Sequence, residues 1–208
     1  MTQIKNNKIF HFNDLEILVH PDVYDPAEDS FLLLESIPIR KSDKFLEIGT
    51  GCGLIALEAA RQGALVICTD INPYAIKITQ CNIQKNKHLL KGSIEVRKGS
   101  LFSVFKTPQA FDSIVFNPPY LPTKNTEHVD CWFDAATDGG SDGLCIIKQF
   151  LKQVKNYMHH SSQVFFVFSS LSPQKKLETL LHHYGYQYNI VKSQTFDDET
   201  LFVYRITM

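Results

Sequence analysis

What this 208-residue sequence lacks excludes several classes of protein at once. No apolar run approaches the ~18–20 residues needed to cross a bilayer, so no membrane-spanning helix is expected. The first residues, Met1 to Lys8, are polar, and no signal-type apolar block with a cleavage site follows them. The expectation is a cytoplasmic protein. Cysteine is sparse and scattered: Cys52, Cys68, Cys81, Cys131 and Cys145 form no CxxC pair. An odd count at irregular spacing argues against a disulfide framework and against a zinc knuckle. His159-His160 and His182-His183 are adjacent pairs on predicted helices, where sequence neighbours do not face one another, so no metal site is expected. There is no excess of positive charge, since 21 Lys and Arg stand against 22 Asp and Glu for a net charge of −1. Gripping a nucleic-acid backbone normally takes a concentrated basic face, which disfavours a nucleic-acid substrate. Internal repeats, low-complexity tracts and Gly/Pro/Ser linkers are absent as well.

What is present is an ordinary globular composition, 44% hydrophobic and 21% charged, in a chain long enough to bury one full core. A single domain over 1–208 is expected, with residues 1–40 covering a ligand pocket. From Val23 onward, helix-like and strand-like segments alternate at the spacing of βα units. Asp25-Pro26-Ala27-Glu28 reads as a helix start, with Asp25 as cap, Pro26 first in the helix and Glu28 at the capping-box place. A strand over Lys44–Ile48 runs into Gly49–Gly53 and a helix over Leu54–Gln62. A second strand, Leu65–Thr69, ends on Asp70. Asn72 caps and Pro73 opens the next helix, which runs to Lys85. Strands three and four are Ile94–Arg97 and Phe111–Phe116. Residues 121–140 hold turn formers and two aromatics, Trp132 and Phe133. A helix over Gly143–Met158 precedes a fifth strand, Gln163–Phe168, whose apolar run suits coverage on both faces. A helix over Pro173–Tyr184 follows. Gln187–Ser193 and Leu201–Thr207 are joined by too few residues for a crossover helix and read as a hairpin. The fold class is α/β, a mostly parallel sheet ending in one antiparallel hairpin.

Two motifs carry the chemistry. Glu47-Ile48-Gly49-Thr50-Gly51-Cys52-Gly53 lies between a strand and a helix, where open α/β sheets bind ligands. Its GxGxG spacing differs from the dinucleotide fingerprint GxGxxG, so a pyrophosphate is not the natural ligand. Asp70 stands near the ~20-residue offset at which an acid accepts ribose hydroxyls, and Glu47 adds negative character suited to a cation. S-adenosyl-L-methionine offers a ribose, a sulfonium and an ammonium group together. The second motif, Asn117-Pro118-Pro119-Tyr120, follows the fourth strand. Consecutive prolines fix φ and remove backbone donors, leaving the Asn117 side-chain oxygen and the Pro118 carbonyl free to receive a planar NH₂ group. Tyr120 supplies an aromatic wall. No catalytic His or Cys is needed, because a sulfonium already contains its leaving group and the enzyme's task is alignment.

With these residues in hand, the sequence resembles the HemK-like family of N5-glutamine methyltransferases that modify peptide-chain release factors, and within it the short archaeal and eukaryotic branch. The match runs from Val23-Tyr24-Asp25-Pro26-Ala27-Glu28-Asp29-Ser30 through the glycine loop and Asn-Pro-Pro-Tyr to Gly139-Gly140-Ser141-Asp142-Gly143 and Glu199-Thr200-Leu201. The resemblance implies a Rossmann-like class I methyltransferase with a seven-stranded sheet, acting on glutamine in a Gly-Gly-Gln motif. It implies a cofactor site of Ser30, Glu47, Gly49, Gly51, Asp70, Ile71, Ser100, Leu101 and Asn117, with Asn117, Pro118, Pro119 and Tyr120 forming the catalytic turn. The chain departs from the family at Ser100, where an aspartate usually receives the adenine amino group. Serine accepts more weakly and with shorter reach. The resemblance also implies a small zinc-binding activator protein along the edge strand at Ile94–Arg97, where β-augmentation is available.

Asn-Pro-Pro-Tyr alone is shared with amino-methyltransferases of DNA and RNA bases, in which the aromatic would stack on a flipped adenine. A lysine-directed protein methyltransferase uses much of the same frame, and a binding module that kept the fold without activity is the remaining alternative. Neutral charge and the lack of room for a target-recognition domain weigh against the nucleic-acid reading.

Overall fold

The computed structural model describes residues 7–122 and 139–208. Trp132 and Phe133, expected to wall a pocket, lie outside the described residues. The described chain opens with a feature absent from the sequence reading, a hairpin of β1 (Lys8–Phe12) and β2 (Leu15–Val19). Leu15, Ile17 and Val19 alternate into the core, the period-2 signal of a half-buried strand. Helix α1 (Glu28–Ser36) follows. Then come β3 (Lys44–Ile48), α2 (Leu54–Gln62), β4 (Leu65–Asp70) and α3 (Pro73–Lys85). They are succeeded by β5 (Ser93–Lys98), β6 (Phe111–Phe116), α4 (Cys145–Val154), β7 (Met158–Ser169), α5 (Gln174–His183), β8 (Gln187–Phe196) and β9 (Glu199–Thr207).

Seven strands form one sheet in the order β5-β4-β3-β6-β7-β9-β8. The first five are mutually parallel, while β9 runs antiparallel to both neighbours. The expected mostly parallel sheet with a closing hairpin is thus present, and Ile94–Arg97 stands on its edge strand. Apolar side chains cover both faces. One layer joins α1, α2 and the N-terminal hairpin. The other packs α4 and α5 through stacked aromatics, among them Phe102 on Tyr157 and Phe166 on Tyr204. No helix among the described residues is long and apolar enough to cross a membrane.

Three local expectations are corrected. Asp25 does not cap α1. The N-cap is Ala27, with no side-chain bond, and the Asp25 carboxylate instead pairs with Lys8 of the hairpin. Glu28 therefore opens the helix and is not at a capping-box position. The helix expected to reach Met158 stops at Val154, with a 3-10 turn over Lys155–Tyr157. His159 and His160 consequently lie in β7, not in a helix. The reason is a long-range contact: Ser162 Oγ accepts from His159 N at 2.7 Å and donates to Phe111 O at 2.6 Å, extending strand pairing back to Met158.

Candidate active site

The crevice lies beyond the carboxyl ends of β3, β4 and β6, where the chain leaves β3 toward opposite sides of the sheet, the position open α/β sheets use for ligands. Ser30, Glu47, Gly49, Gly51, Asp70, Ile71, Ser100, Leu101, Asn117, Pro118, Pro119 and Tyr120 all line one cavity of about 340 Å³. Every site residue expected from sequence is brought together there.

The glycine loop after β3 holds a left-handed backbone at Gly49 (φ 69°) and Gly51 (φ 56°), conformations that a Cβ disfavours. Its polar groups are tied down from several directions. Thr50 N donates to Thr69 O at 2.9 Å, and Gly51 N donates to Asp70 Oδ2 at 2.9 Å. From α3, Thr79 Oγ1 donates to Gly51 O and Asn82 Nδ2 to Cys52 O. Asp70 also accepts from Asn72 N at 2.9 Å through Oδ1. Burial raises its pKa, offset by the N–H groups of Asn72, Gly51 and Ile71. Glu47 is buried beneath the loop, where Oε2 accepts from Thr50 Oγ1 at 2.6 Å and from Ala56 N at 3.1 Å. Desolvation dominates these bonds and pushes its pKa up to about 8. Ile71 is exposed and lines the cavity with a buried Leu101, while Ser100 is exposed.

On the other side of the crevice Asn117 leaves β6 with its amide already oriented. Nδ2 donates to Asp29 Oδ2 at 2.9 Å and lies 3.5 Å from Ser30 Oγ. Asp29 is buried and receives four further bonds: Tyr24 Oη at 3.1 Å, Tyr120 Oη at 3.2 Å, Ser30 N at 2.6 Å and Ser30 Oγ at 3.1 Å. Burial, then the Asp29 charge, holds both tyrosine hydroxyls well above the ordinary phenol range, so they remain donors. A carboxylate offers only acceptors, so the Asn117 NH₂ must face it. The amide oxygen is left over. Asn117 Oδ1 is buried and accepts no hydrogen bond from the described residues, at a typical cost of ~1–3 kcal/mol for an unmade buried bond. Such an orphan acceptor is chemically a seat for an N–H donor brought by a ligand.

Residues 15–197 match the methyltransferase small domain family. A Methanocaldococcus jannaschii protein, provisionally named a protein N5-glutamine methyltransferase, is 37% identical over 88% of this chain and 90% of its own. The chain belongs to the N5-glutamine methyltransferase family. Methyltransferase HEMK2 of Homo sapiens is 31% identical over 89% of this chain and 90% of that protein. Among solved structures, the E. cuniculi Mtq2–Trm112 complex, described as responsible for methylation of the eRF1 translation termination factor, superposes with a TM-score of 0.70. It is 22% identical over 89% of this chain and 98% of that one, a likeness of fold.

Sequence reasoning missed one member of this methyltransferase site. Asp29 stood in the quoted Val23–Ser30 segment but read as a first-turn helix acid. Only the return of the turn after β6 to α1 reveals that its carboxylate gathers Asn117, Tyr120 and Tyr24.

Proposed function

We propose that this methyltransferase uses S-adenosyl-L-methionine to methylate N5 of the glutamine in a Gly-Gly-Gln motif of a peptide-chain release factor. The single observation that carries this reading is the orphan Asn117 Oδ1, aimed by Asp29 and left for a planar amide N–H. The names of the relatives support the same substrate class. The pocket chemistry fits the cofactor: a fixed carboxylate at Asp70, apolar lining from Ile71 and Leu101, and a buried acid at Glu47. Bound there, the cofactor supplies an electrophilic methyl with its leaving group built in. Asp70 would hold the ribose, Gly49 and Gly51 would let the backbone approach it, and Ser30, 3.5 Å from Asn117 Nδ2, would contribute to the same site. Asn117 Oδ1 and the Pro118 carbonyl receive the two N–H groups of the target amide, keeping its nitrogen lone pair aligned. Tyr120 would close one wall, and the segment assigned to cover the pocket, residues 1–40, contributes Val23, Tyr24, Pro26, Asp29 and Ser30 to the cavity lining.

Transfer of labelled methyl to a release factor, compared with a variant whose Gly-Gly-Gln glutamine is replaced, tests the proposal. Label should depend on that glutamine and change only modestly between low and physiological salt. Robust labelling of an oligonucleotide, lost as salt rises, would favour base methylation instead. We further propose that a small zinc-binding activator pairs along Ile94–Arg97, since β5 is hydrogen-bonded to β4 alone and offers an open edge.

Two predictions concern the cofactor. Asp70→Ala should weaken binding of S-adenosylhomocysteine by at least about tenfold in calorimetry, as hydrogen bonds to a charged acceptor are worth roughly 1.5–3 kcal/mol each. An unchanged Kd would put the ribose elsewhere. For Glu47, the folded-state pKa lies above the ordinary value, so its burial is tolerated at acid pH and costs stability as pH rises through about 8. A cation beside it favours the ionised form. Affinity for S-adenosylmethionine should therefore rise between about pH 6 and pH 8.5, and Glu47→Gln should flatten that rise while leaving the thermal midpoint at pH 8 no lower. A pH dependence surviving in the variant would assign it to another group.

A further inference from the structure

Tyr120 is held at both ends. Its hydroxyl donates to Asp29 Oδ2, and its backbone carbonyl accepts from Ser172 Oγ at 2.5 Å. Ser172 is buried and comes from the turn after β7. That turn is itself fixed. Ser172 N donates to Ser169 O and Leu171 N to Ser169 Oγ, while Ser170 exchanges two bonds with Thr200 at the start of β9. The Ser172 hydroxyl is thus presented from a rigid support to a carbonyl 52 residues away in sequence.

A glycine lies against this same hydrogen bond. At Gly143 (φ 68°) an added Cβ would stand 2.2 Å from Tyr120 O and 2.4 Å from Ser172 Oγ. At Gly139 it would stand 2.7 Å from Leu121 O and 3.0 Å from Pro119 O, and Gly139 N donates to Leu121 O at 3.0 Å. Prolines fix φ but leave ψ free, so Pro118-Pro119 does not by itself orient the peptide planes that follow. Ser172 and Gly139 supply that orientation. They also engage one lone pair each of the Tyr120 and Leu121 carbonyls, making both weaker competitors for a substrate amide.

We propose that Ser172, seated against Gly143, is a positioning residue for methyl transfer. It fixes the Tyr120 peptide and, through it, the ring and the neighbouring Asn117–Pro118 acceptors. The inference rests on the reading of the turn as the substrate site. The two are separable: an inactive wild-type enzyme fails that reading, whereas an active enzyme indifferent to Ser172 fails only this one.

The test is steady-state kinetics of Ser172→Ala and Gly143→Ala with the release-factor substrate, alongside cofactor Kd and thermal midpoint. Each variant should lose about tenfold to a hundredfold in kcat, the scale of an ångström-level misplacement, with Kd for S-adenosylhomocysteine within about twofold. In the double variant with Tyr120→Phe, which releases the other end, the loss should exceed the product of the single losses by at least about threefold, because either restraint alone still partly holds the peptide. Wild-type kcat in Ser172→Ala, or simple multiplication in the double variant, would overturn the proposal. So would equal losses of cofactor affinity, or failure of both single variants to fold, because the contact would then be purely structural.

Discussion

Asn117→Ala is expected to lower kcat about a hundredfold to a thousandfold, the scale on which removal of an oriented hydrogen-bonding group from a reacting centre acts. The Kd for S-adenosylhomocysteine should stay within about tenfold, because Asp70 and the glycine loop are assigned the nucleoside. The asymmetry follows from the geometry. The Asn117 amide spends its NH₂ on Asp29 and Ser30, while its oxygen has no partner among the described residues. An interaction left unmade in the resting protein and completed only with the target amide lowers the barrier without tightening the cofactor. Single-turnover transfer assays with calorimetry on the same preparation separate the two quantities. Retained turnover in the variant would remove Asn117 from the mechanism.

Asp29→Asn should cost kcat about a hundredfold although Asp29 is assigned no contact with the methyl or the target nitrogen. In the native site its carboxylate accepts five hydrogen bonds, from Tyr24, Asn117, Tyr120 and Ser30. An asparagine keeps one acceptor and turns two N–H donors toward groups that are themselves donors. The Asn117 amide then has no reason to keep its oxygen toward the target, and alignment losses of this kind reach ~10²-fold. Each buried donor left unsatisfied costs ~1–3 kcal/mol, so the thermal midpoint should fall too. The discriminating comparison is with Asn117→Ala: adding Asp29→Asn to it should cause little further loss of turnover if both act through one amide. A kcat within about threefold of wild type in the single variant would show that Asn117 is oriented without Asp29.

How much of this site could be read in advance depended on whether the signal was local. Asn72 and Pro73 start α3 as expected because cap and first-turn chemistry act over a few residues, and Asn72 Oδ1 indeed accepts from Tyr74 N. The offset from the glycine loop to Asp70 is one βα unit, so chain length alone brings Asp70 to Gly51. Asp25 misled for the converse reason: a capping aspartate is recognised by its neighbours in sequence, and here a lysine of the preceding hairpin took the carboxylate.

The hairpin itself shows where local pattern ends. Asn82 of α3 and Asn86, which caps its C-terminus, each accept from and donate to the backbone of β2, at Leu18 and Glu16, so that these side chains stand in for a neighbouring strand. Periodicity cannot announce such a pairing, because it depends on a helix face meeting a strand edge some 64 to 70 residues away.

By itself the sequence determined the alternation of strands and helices, the glycine loop with its following acid, and the proline-stiffened turn, since each is written in residues a few positions apart. The tertiary structure alone decided that Asp29 orients Asn117, that Ser172 and Gly143 hold Tyr120, and that the histidine pair at 159–160 belongs to a strand. Those relations join elements distant in sequence. They arise because buried polar groups must find partners wherever packing brings them, and the partner is chosen by the fold and not by the neighbouring residue.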